Sequence, residues 1–261
     1  MGKRVTAPKL RAMREAGERI VCVTAYDSTF GALADEAGVD VVLVGDSVAN
    51  VLLGMPETTG VDLDAMVHHV RATRAGVSKA LLVGDLPFGS YGASVAQAVE
   101  SATRLVRAGA EAVKMEGDHP EAVAACVRAG IPVMGHLGFT PQSVNLLGGH
   151  RVQGRGEAGD AILSAARRLA EAGACGVVLE LVPAELAARV TREVDLPTIG
   201  IGAGAGCDGQ IQVLHDVLGL LERTFRHAKP YLGGRALITQ ALRDYAGEVR
   251  KGSFPTEANA E

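Results

Sequence analysis

The four-residue stretch LVGD occurs at residues 43–46 and again at residues 82–85. Each copy ends a short apolar run and precedes a predicted turn, a pattern that is typical of a buried parallel strand. The carboxyl ends of parallel strands lie at the same end of a sheet, so the repeat predicts that Asp46 and Asp85 share one rim. Carboxylates in such a position are the oxygen ligands that a hard divalent cation prefers.

Apolar runs of this kind alternate with helix-type segments along most of the chain. Parallel neighbours need a crossover connection, and the helices supply it. Eight strands in this order predict an α/β fold closed as a (β/α)8 TIM barrel, with an N-terminal helix and a C-terminal helical extension. An open doubly wound sheet is the alternative. The predicted strands cover residues 20–26, 41–46, 80–85, 112–116, 132–136, 176–181, 197–201 and 211–214; the predicted helices cover residues 28–37, 63–75, 95–108, 120–129, 160–172, 184–194 and the chain from about 220.

The length of the chain, 261 residues, is within the range of one such barrel. We therefore expect a single domain over residues 1–261, with the polar residues 253–261 as a disordered tail. A long Gly-rich polar loop is predicted over residues 138–159.

The charge balance and the apolar pattern exclude some classes of protein. The chain has 26 Lys+Arg against 30 Asp+Glu, which gives no basic footprint for nucleic acid. No apolar run reaches the roughly 18–20 residues needed to span a bilayer. The N-terminus has basic residues but no apolar segment typical of a secretory signal, so we expect a cytoplasmic protein. The four cysteines lie far apart without zinc-type spacing, which favours small buried thiols.

Polar side chains gather at the predicted carboxyl ends of the strands, where barrels of this kind carry their reactive groups. Lys114 and Glu116 are two residues apart on one strand, so both side chains face the same side and can enter the barrel mouth. Glu180 follows an apolar run, where a carboxylate is costly without a partner or a task. The residues at these positions are Asp46, Ser47, Asp85, Lys114, Glu116, His136 and Glu180.

Each of these residues also has a purely structural interpretation. Asp46 and Asp85 could cap the helices that follow them. Lys114 and Glu116 could form an ion pair that only stabilises the barrel, and Glu180 could pair with a basic group for the same purpose. His136 could be a hydrogen-bonded core histidine.

Seven blocks in order along the chain resemble the ketopantoate hydroxymethyltransferase family. The resemblance runs from about residue 4 to about residue 250. It implies a Mg²⁺-dependent (β/α)8 barrel of pantothenate biosynthesis, commonly a homodecamer. The blocks are TAYD at 24–27, VGDS at 44–47, DLPF at 85–88, VKMEG at 113–117, GHLGFTPQ at 135–142, VQGRG at 152–156 and DGQ at 208–210.

The resemblance also implies substrates and residue roles. A hydroxymethyl group would pass from 5,10-methylene-tetrahydrofolate to 3-methyl-2-oxobutanoate through a Mg²⁺-stabilised enolate. The family's pattern places Asp46, Asp85 and Glu116 at the metal, and Glu180 as the general base. The substrate-binding positions that it implies are Asp46, Ser47, Asp85 and Lys114. It gives His136 no firm role.

Two other functions fit the same strand-end pattern. One is a Mg²⁺-dependent C–C lyase of the phosphoenolpyruvate mutase/isocitrate lyase type. Such lyases usually carry a cysteine in a flexible Lys-Lys-Cys-Gly loop, and no cysteine here lies in such a segment. The other is a non-catalytic barrel that binds keto acids.

Overall fold

The computed structural model describes residues 4–222 and 225–260. The backbone divides into two compact units, Met1–Val213 and Leu214–Glu261. The first unit holds the sheet, and the second is helical. None of the helices in the described residues has the length and apolarity to cross a membrane.

The sheet of the first unit is a closed barrel in which each strand pairs in parallel with the next, and β1 pairs with β8. The predicted TIM barrel is therefore confirmed, and the open doubly wound sheet is excluded because β1 and β8 are hydrogen-bonded neighbours. The strands are β1 Ile20–Thr24, β2 Val41–Val44, β3 Leu81–Asp85, β4 Ala112–Glu116, β5 Val133–Gly138, β6 Gly176–Glu180, β7 Thr198–Ile201 and β8 Gly209–Gln212.

In the first unit, helices follow the strands and cover the outside of the barrel. Several begin at side-chain caps that the sequence supplies, such as Asp62, which accepts a hydrogen bond from the Ala65 amide. Others begin with proline in the first turn, as at Pro120. The helices are α1 Ala7–Glu15, α2 Ser28–Glu36, α3 Val48–Val51, α4 Leu63–Arg74, α5 Val95–Ala108, α6 Pro120–Arg128, α7 Val144–Leu147, α8 Ala158–Glu171, α9 Ala184–Glu193, α10 Leu214–Val217 and α11 Gly234–Lys251.

The core of the barrel is built from residues that alternate along the strands and face inward. Leu10 and Met13 of α1 pack against the same cluster, so the N-terminal helix is part of this core. Every member is buried and apolar, so the interior is a packed core and not a channel. The strand residues of the cluster are Ile20, Cys22, Val41, Leu43, Leu81, Val83, Ala112, Met134, Val178, Ile199 and Ile211.

Three boundary predictions were wrong. β8 begins at Gly209, two residues before the predicted start, and pairs with Ile20 of β1. Glycine is required there because a Cβ would overlap the Ile20 carbonyl oxygen. The predicted loop over residues 138–159 starts inside β5 and contains a 3-10 turn, Pro141–Ser143, followed by α7.

The third boundary is that of the C-terminal helix, which begins at Gly234 and not near residue 220. Pro230 and Gly233 precede it, and these residues disfavour helix. Near the end of the second unit, Glu257–Asn259 forms a 3-10 turn capped by Thr256. The single-domain extent and the disorder of residues 253–261 remain predictions.

Candidate active site at the barrel mouth

The charged residues of the mouth continue the inward-facing rows of the core. Val83 of the core is followed two residues later by Asp85, and Val178 is followed by Glu180. Side chains two apart on a strand face the same side, so each row is apolar in the barrel and charged at its carboxyl end. The rows that end this way supply Asp85, Lys114, Glu116, His136 and Glu180.

Lys114 lies at the centre of this group. Its Nζ is 2.9 Å from Asp85 Oδ1 and 3.2 Å from Glu116 Oε1. It is also 3.1 Å from His136 Nδ1. The side chain is 4% exposed, and although burial opposes the charged form, Asp85 and Glu116 raise the pKa of this lysine above its ordinary value. Lys114 is therefore an ammonium ion held by carboxylates on two strands.

Asp46 and Asp85 lie side by side, as the repeated sequence predicts. The backbone amide of Asp46 donates a 3.0 Å hydrogen bond to Asp85 Oδ2, and both side chains are buried. Burial, together with the carboxylates of Asp85 and Glu116, raises the pKa of Asp46 to about 8. Neither aspartate caps the helix that follows it. Helix α3, which follows Asp46, has no side-chain cap, and Asp85 instead accepts its hydrogen bond from the Asp46 amide after β2.

His136 connects two carboxylates. Its Nδ1 is 3.2 Å from Glu116 Oε1 and its Nε2 is 3.3 Å from Glu180 Oε2. Burial and Lys114 oppose protonation, but Glu116 and Glu180 outweigh them and raise the pKa of His136 to about 9. Burial also acts against ionisation of Glu116, but Lys114 and His136 lower the pKa of that carboxyl to about 2. The imidazolium is therefore an ion-pair partner of the predicted base, Glu180, a contact that the sequence did not indicate.

Gln142 is a buried residue that the sequence analysis did not select. Its Nε2 donates to Asp46 Oδ2 at 3.1 Å and to the Leu86 carbonyl at 3.0 Å. Its backbone amide donates to Glu116 Oε2 at 3.0 Å. Tyr91 donates its hydroxyl proton to Gln142 Oε1 at 2.8 Å. The sequence offered two signals, the preceding proline and the place of Gln142 at the end of the block at 135–142, but neither predicts the direction of the side chain.

Ser47, predicted to bind substrate, lies at the start of α3. Its Oγ is 2.8 Å from the hydroxyl of Tyr26, which is buried. The Tyr26 carbonyl is in turn 2.9 Å from His69 Nδ1 on α4. His69 therefore supports the residue that contacts Ser47, at the β1 end of the mouth.

Two backbone features position Glu180. Leu181, the next residue, is the only non-glycine with positive φ among the described residues, at +46°. Gly138 at the end of β5 has φ +95°, and a Cβ there would overlap the Glu180 carbonyl oxygen. The amide of Phe139 donates to that same carbonyl at 2.8 Å. Strained backbone next to a carboxylate is a feature of functional sites.

The carboxylates at the mouth fit a hard divalent cation. Asp46, Asp85 and Glu116 are buried and offer only oxygen ligands, and the pKa of Asp46 is raised by burial and by the carboxylates of Asp85 and Glu116, which Lys114 only partly offsets. A bound cation would favour the ionised form of that carboxyl. In the described residues, no group of three or more His, Cys, Asp or Glu side chains is arranged so that it could hold a metal ion by itself. Mg²⁺ does not need such a group, since it usually takes one or two carboxylates and completes its shell with water and substrate.

The fold and this mouth define a class, the (β/α)8 barrels that carry charged residues at the carboxyl ends of their strands. Solved structures with this fold include phosphonopyruvate hydrolase in complex with oxalate and Mg²⁺ (TM-score 0.64, 14% identity, 98% of this chain and 93% of that chain). Another is 2,3-dimethylmalate lyase, a member of the phosphoenolpyruvate mutase/isocitrate lyase superfamily (TM-score 0.60, 16% identity, 98% and 91%). At these identities the likeness concerns the fold alone.

Sequence comparison defines the family. The family model described as "Ketopantoate hydroxymethyltransferase" matches residues 4–257. The protein named 3-methyl-2-oxobutanoate hydroxymethyltransferase from Chloroflexus aurantiacus is 53% identical over 97% of this chain and 91% of its own length. Those from Moorella thermoacetica and Ignicoccus hospitalis are 52% and 50% identical over 98% of this chain, and over 97% and 98% of their own lengths. The chain belongs to the ketopantoate hydroxymethyltransferase family and is a transferase.

Proposed function

We propose that this protein transfers the one-carbon unit of 5,10-methylene-tetrahydrofolate to 3-methyl-2-oxobutanoate, giving 2-dehydropantoate for pantothenate synthesis. One observation carries the proposal. In a chain of this family, a buried ammonium, three buried carboxylates and the half-buried Glu180 converge at one barrel mouth. Such an arrangement suits the deprotonation of a carbon next to a ketone.

Asp46, Asp85 and Glu116 are the residues that would hold Mg²⁺. When bound there, the ion supplies Lewis-acid polarisation of the keto acid, which acidifies its C3 hydrogen. Gln142 leaves one oxygen of Asp46 for this purpose, because its amide occupies Oδ2. Lys114 reduces the repulsion between Asp85 and Glu116, and so keeps the carboxylates close together.

Glu180 acts as the general base that removes the C3 proton. Its carboxylate is held by His136 at 3.3 Å and is 16% exposed, so it is both oriented and reachable from the mouth. Lys114 places positive charge beside the mouth, where it would stabilise the negative charge of the enolate. Ser47, oriented by Tyr26, is positioned to bind an oxygen of the keto acid.

The new bond forms between C3 of the keto acid and the methylene carbon of the folate. The C3–H electron pair makes this bond after the proton passes to Glu180. The two bonds from the methylene carbon to the folate nitrogens break, and one water supplies the hydroxyl group of the product. The two nitrogens take up the remaining proton of that water and the proton that Glu180 removed from C3. The products are 2-dehydropantoate and tetrahydrofolate, with no change in the oxidation state of the folate.

A product assay tests the proposal. Purified protein is incubated with 3-methyl-2-oxobutanoate, 5,10-methylene-tetrahydrofolate and Mg²⁺, and the mixture is followed by ¹H NMR. The proposal predicts 2-dehydropantoate in amounts equal to the folate consumed. Cleavage of a C–C bond in the keto acid, or binding of both compounds without turnover, would refute it and favour a lyase or a binding protein.

The assembly and the cellular location are part of the same proposal. We infer a homodecamer on the resemblance to the family, and we propose that it acts in the cytoplasm. Sedimentation at micromolar concentration tests the assembly, and a monomer at that concentration would contradict it.

A further inference from the structure

Gln142 occupies a position that no predicted role explains. It lies in the 3-10 turn Pro141–Ser143 that follows β5, and its relative exposure is 5%. Leu86 and Tyr91, which it bonds, belong to the loop after β3. One side chain therefore connects the loops of two strands that are not neighbours in the barrel.

The backbone of this turn also reaches the site. The first amides of a helical turn have no partner inside the turn, and Pro141 at the first position has no amide hydrogen to offer. The first free donor is then the Gln142 amide, which bonds Glu116 Oε2 at 3.0 Å. Glu116 Oε1 is 3.2 Å from both Lys114 and His136, so these three contacts fix the carboxylate and leave one lone-pair site on Oε2 for the cation.

The side-chain amide fixes the second carboxylate. Nε2 has two hydrogens and two acceptors, Asp46 Oδ2 and the Leu86 carbonyl, so the amide is fully used and cannot rotate without losing both. Among the described residues, Asp46 Oδ1 accepts no hydrogen bond, so the contact with Gln142 selects which oxygen of Asp46 is available. Tyr91 holds the other end of the amide at 2.8 Å.

We propose that Gln142 is the positioning residue that orients Asp46 and Glu116 toward the cation, and that Tyr91 locks Gln142 in place. Gln142 does not contact the cation itself. It holds two carboxylates from different strands in one arrangement, as hydrogen-bond partners of metal ligands commonly do. This inference rests on the proposed function, because it takes these carboxylates as the ligands.

The test measures metal binding without turnover. Mn²⁺ replaces Mg²⁺, and free Mn²⁺ is measured by electron paramagnetic resonance for the parent, Gln142→Met and Tyr91→Phe. Removing an outer hydrogen-bond partner of a metal ligand typically costs about 10–100-fold in metal affinity. We expect about a tenfold or greater loss for Gln142→Met and a smaller loss for Tyr91→Phe, which removes one hydroxyl. The Mg²⁺ concentration for half-maximal C3 exchange should rise in the same order.

Gln97→Met is the matched control. Gln97 also uses its amide to bond loop backbone, at Gly89 and Ala93, but it touches none of the carboxylates. It should bind Mn²⁺ like the parent. Melting temperatures show which variants are folded, and if Gln142→Met is not folded, Tyr91→Phe decides alone.

The outcomes separate the inference from the function on which it rests. If the parent binds Mn²⁺ and both variants bind it within twofold of the parent, the positioning role is wrong and the proposed function stands. If the parent itself neither binds Mn²⁺ nor exchanges the C3 hydrogen, the metal site and the positioning role are both wrong.

Discussion

Replacing Lys114 by Met should lower the free energy of unfolding, because it removes the positive charge that balances the buried carboxylates of the mouth. The ammonium lies 2.9 Å from Asp85 Oδ1 and 3.2 Å from Glu116 Oε1, and these side chains are at most 4% exposed. Methionine keeps much of the length of the side chain but removes its charge. Breaking a buried ion pair by removing one partner typically costs about 3–5 kcal/mol, because it leaves an uncompensated buried charge.

The size of the stability loss in Lys114→Met can also be derived from how the stability changes with pH. Without Lys114, the folded variant in metal-free buffer should hold at least one extra carboxyl proton, so its folded carboxyl pKa lies above the unfolded value of about 4. The folded state then binds more protons than the unfolded chain, and stability falls as pH rises from about 4 toward the folded pKa. Each pH unit is worth about 1.4 kcal/mol, so the loss should be about 1.4 kcal/mol at pH 5 and about 4 kcal/mol at pH 7.

Urea unfolding with a chelator present, at several pH values and one protein concentration, measures this difference. Lys9→Met is the control, because Lys9 pairs with Glu18 at 3.6 Å on the exposed surface, where such pairs contribute about 0–1 kcal/mol. Mg²⁺ should restore more stability to the Lys114 variant than to the parent, since it replaces the lost positive charge. A loss below about 1 kcal/mol at pH 7, or one that does not change with pH, would refute this account of the mouth.

Two further substitutions test the backbone around the site and the support beneath it. Gly138→Ala places a Cβ against the Glu180 carbonyl and 2.6 Å from a Val182 methyl, so C3 exchange and stability should both fall. Steric crowding should add about 1–3 kcal/mol to the cost of positive φ in urea unfolding. Asp35→Asn should cost about 1.5–3 kcal/mol at pH 7, because Asp35 accepts hydrogen bonds from a hydroxyl and two amides at 2.7–2.8 Å. Burial alone would raise the pKa of Asp35, but these bonds hold it below its usual value, so this stability is present above about pH 4 and disappears as pH falls below it.

Each of these two substitutions has a matched control variant that separates the proposed cause from other effects. Gly130→Ala carries the same positive φ, +83°, but its Cβ would meet open space, so it should lose only about 1–2 kcal/mol. Asp62→Asn changes an exposed cap with one hydrogen bond, and asparagine is an equally good cap there. If Gly138→Ala and Gly130→Ala lose equal stability, the argument that the added Cβ at residue 138 clashes with its neighbours is wrong. If the loss of stability in Asp35→Asn stays constant from pH 3 to pH 7, the argument that the ionised Asp35 carboxylate stabilises the fold is wrong.

The sequence predicted the charged rows of the mouth because a single local rule governs them. Residues two apart on a strand share a face, so Lys114 and Glu116 had to point together once β4 was assigned, and the structure joins them at 3.2 Å. The repeated LVGD stretch placed Asp46 and Asp85 at one rim for a similar reason. Both inferences need only strand assignments and parallel pairing.

The residues that the sequence did not select depend on the paths of loops. Gln142 and Tyr91 reach the carboxylates from separate loops, and no periodicity predicts that a glutamine after a proline will turn inward. His136 was visible as a strand-end residue, but its link to Glu180 requires the register between β5 and β6. β8 was misplaced because its glycine and glutamines carry no apolar run for a pattern to detect.

The loss of deuterium exchange in a Glu180→Gln variant tests the central claim most directly, namely that this carboxylate removes the C3 proton of a keto acid at a cation-binding mouth. The parent with Mg²⁺ in D₂O should exchange the C3 hydrogen of 3-methyl-2-oxobutanoate without folate, as followed by ¹H NMR. The variant should bind Mn²⁺ like the parent and lose exchange by at least about 100-fold, the lower range for a general base. Exchange at the parent's rate in a folded, metal-binding Glu180→Gln protein would contradict the account.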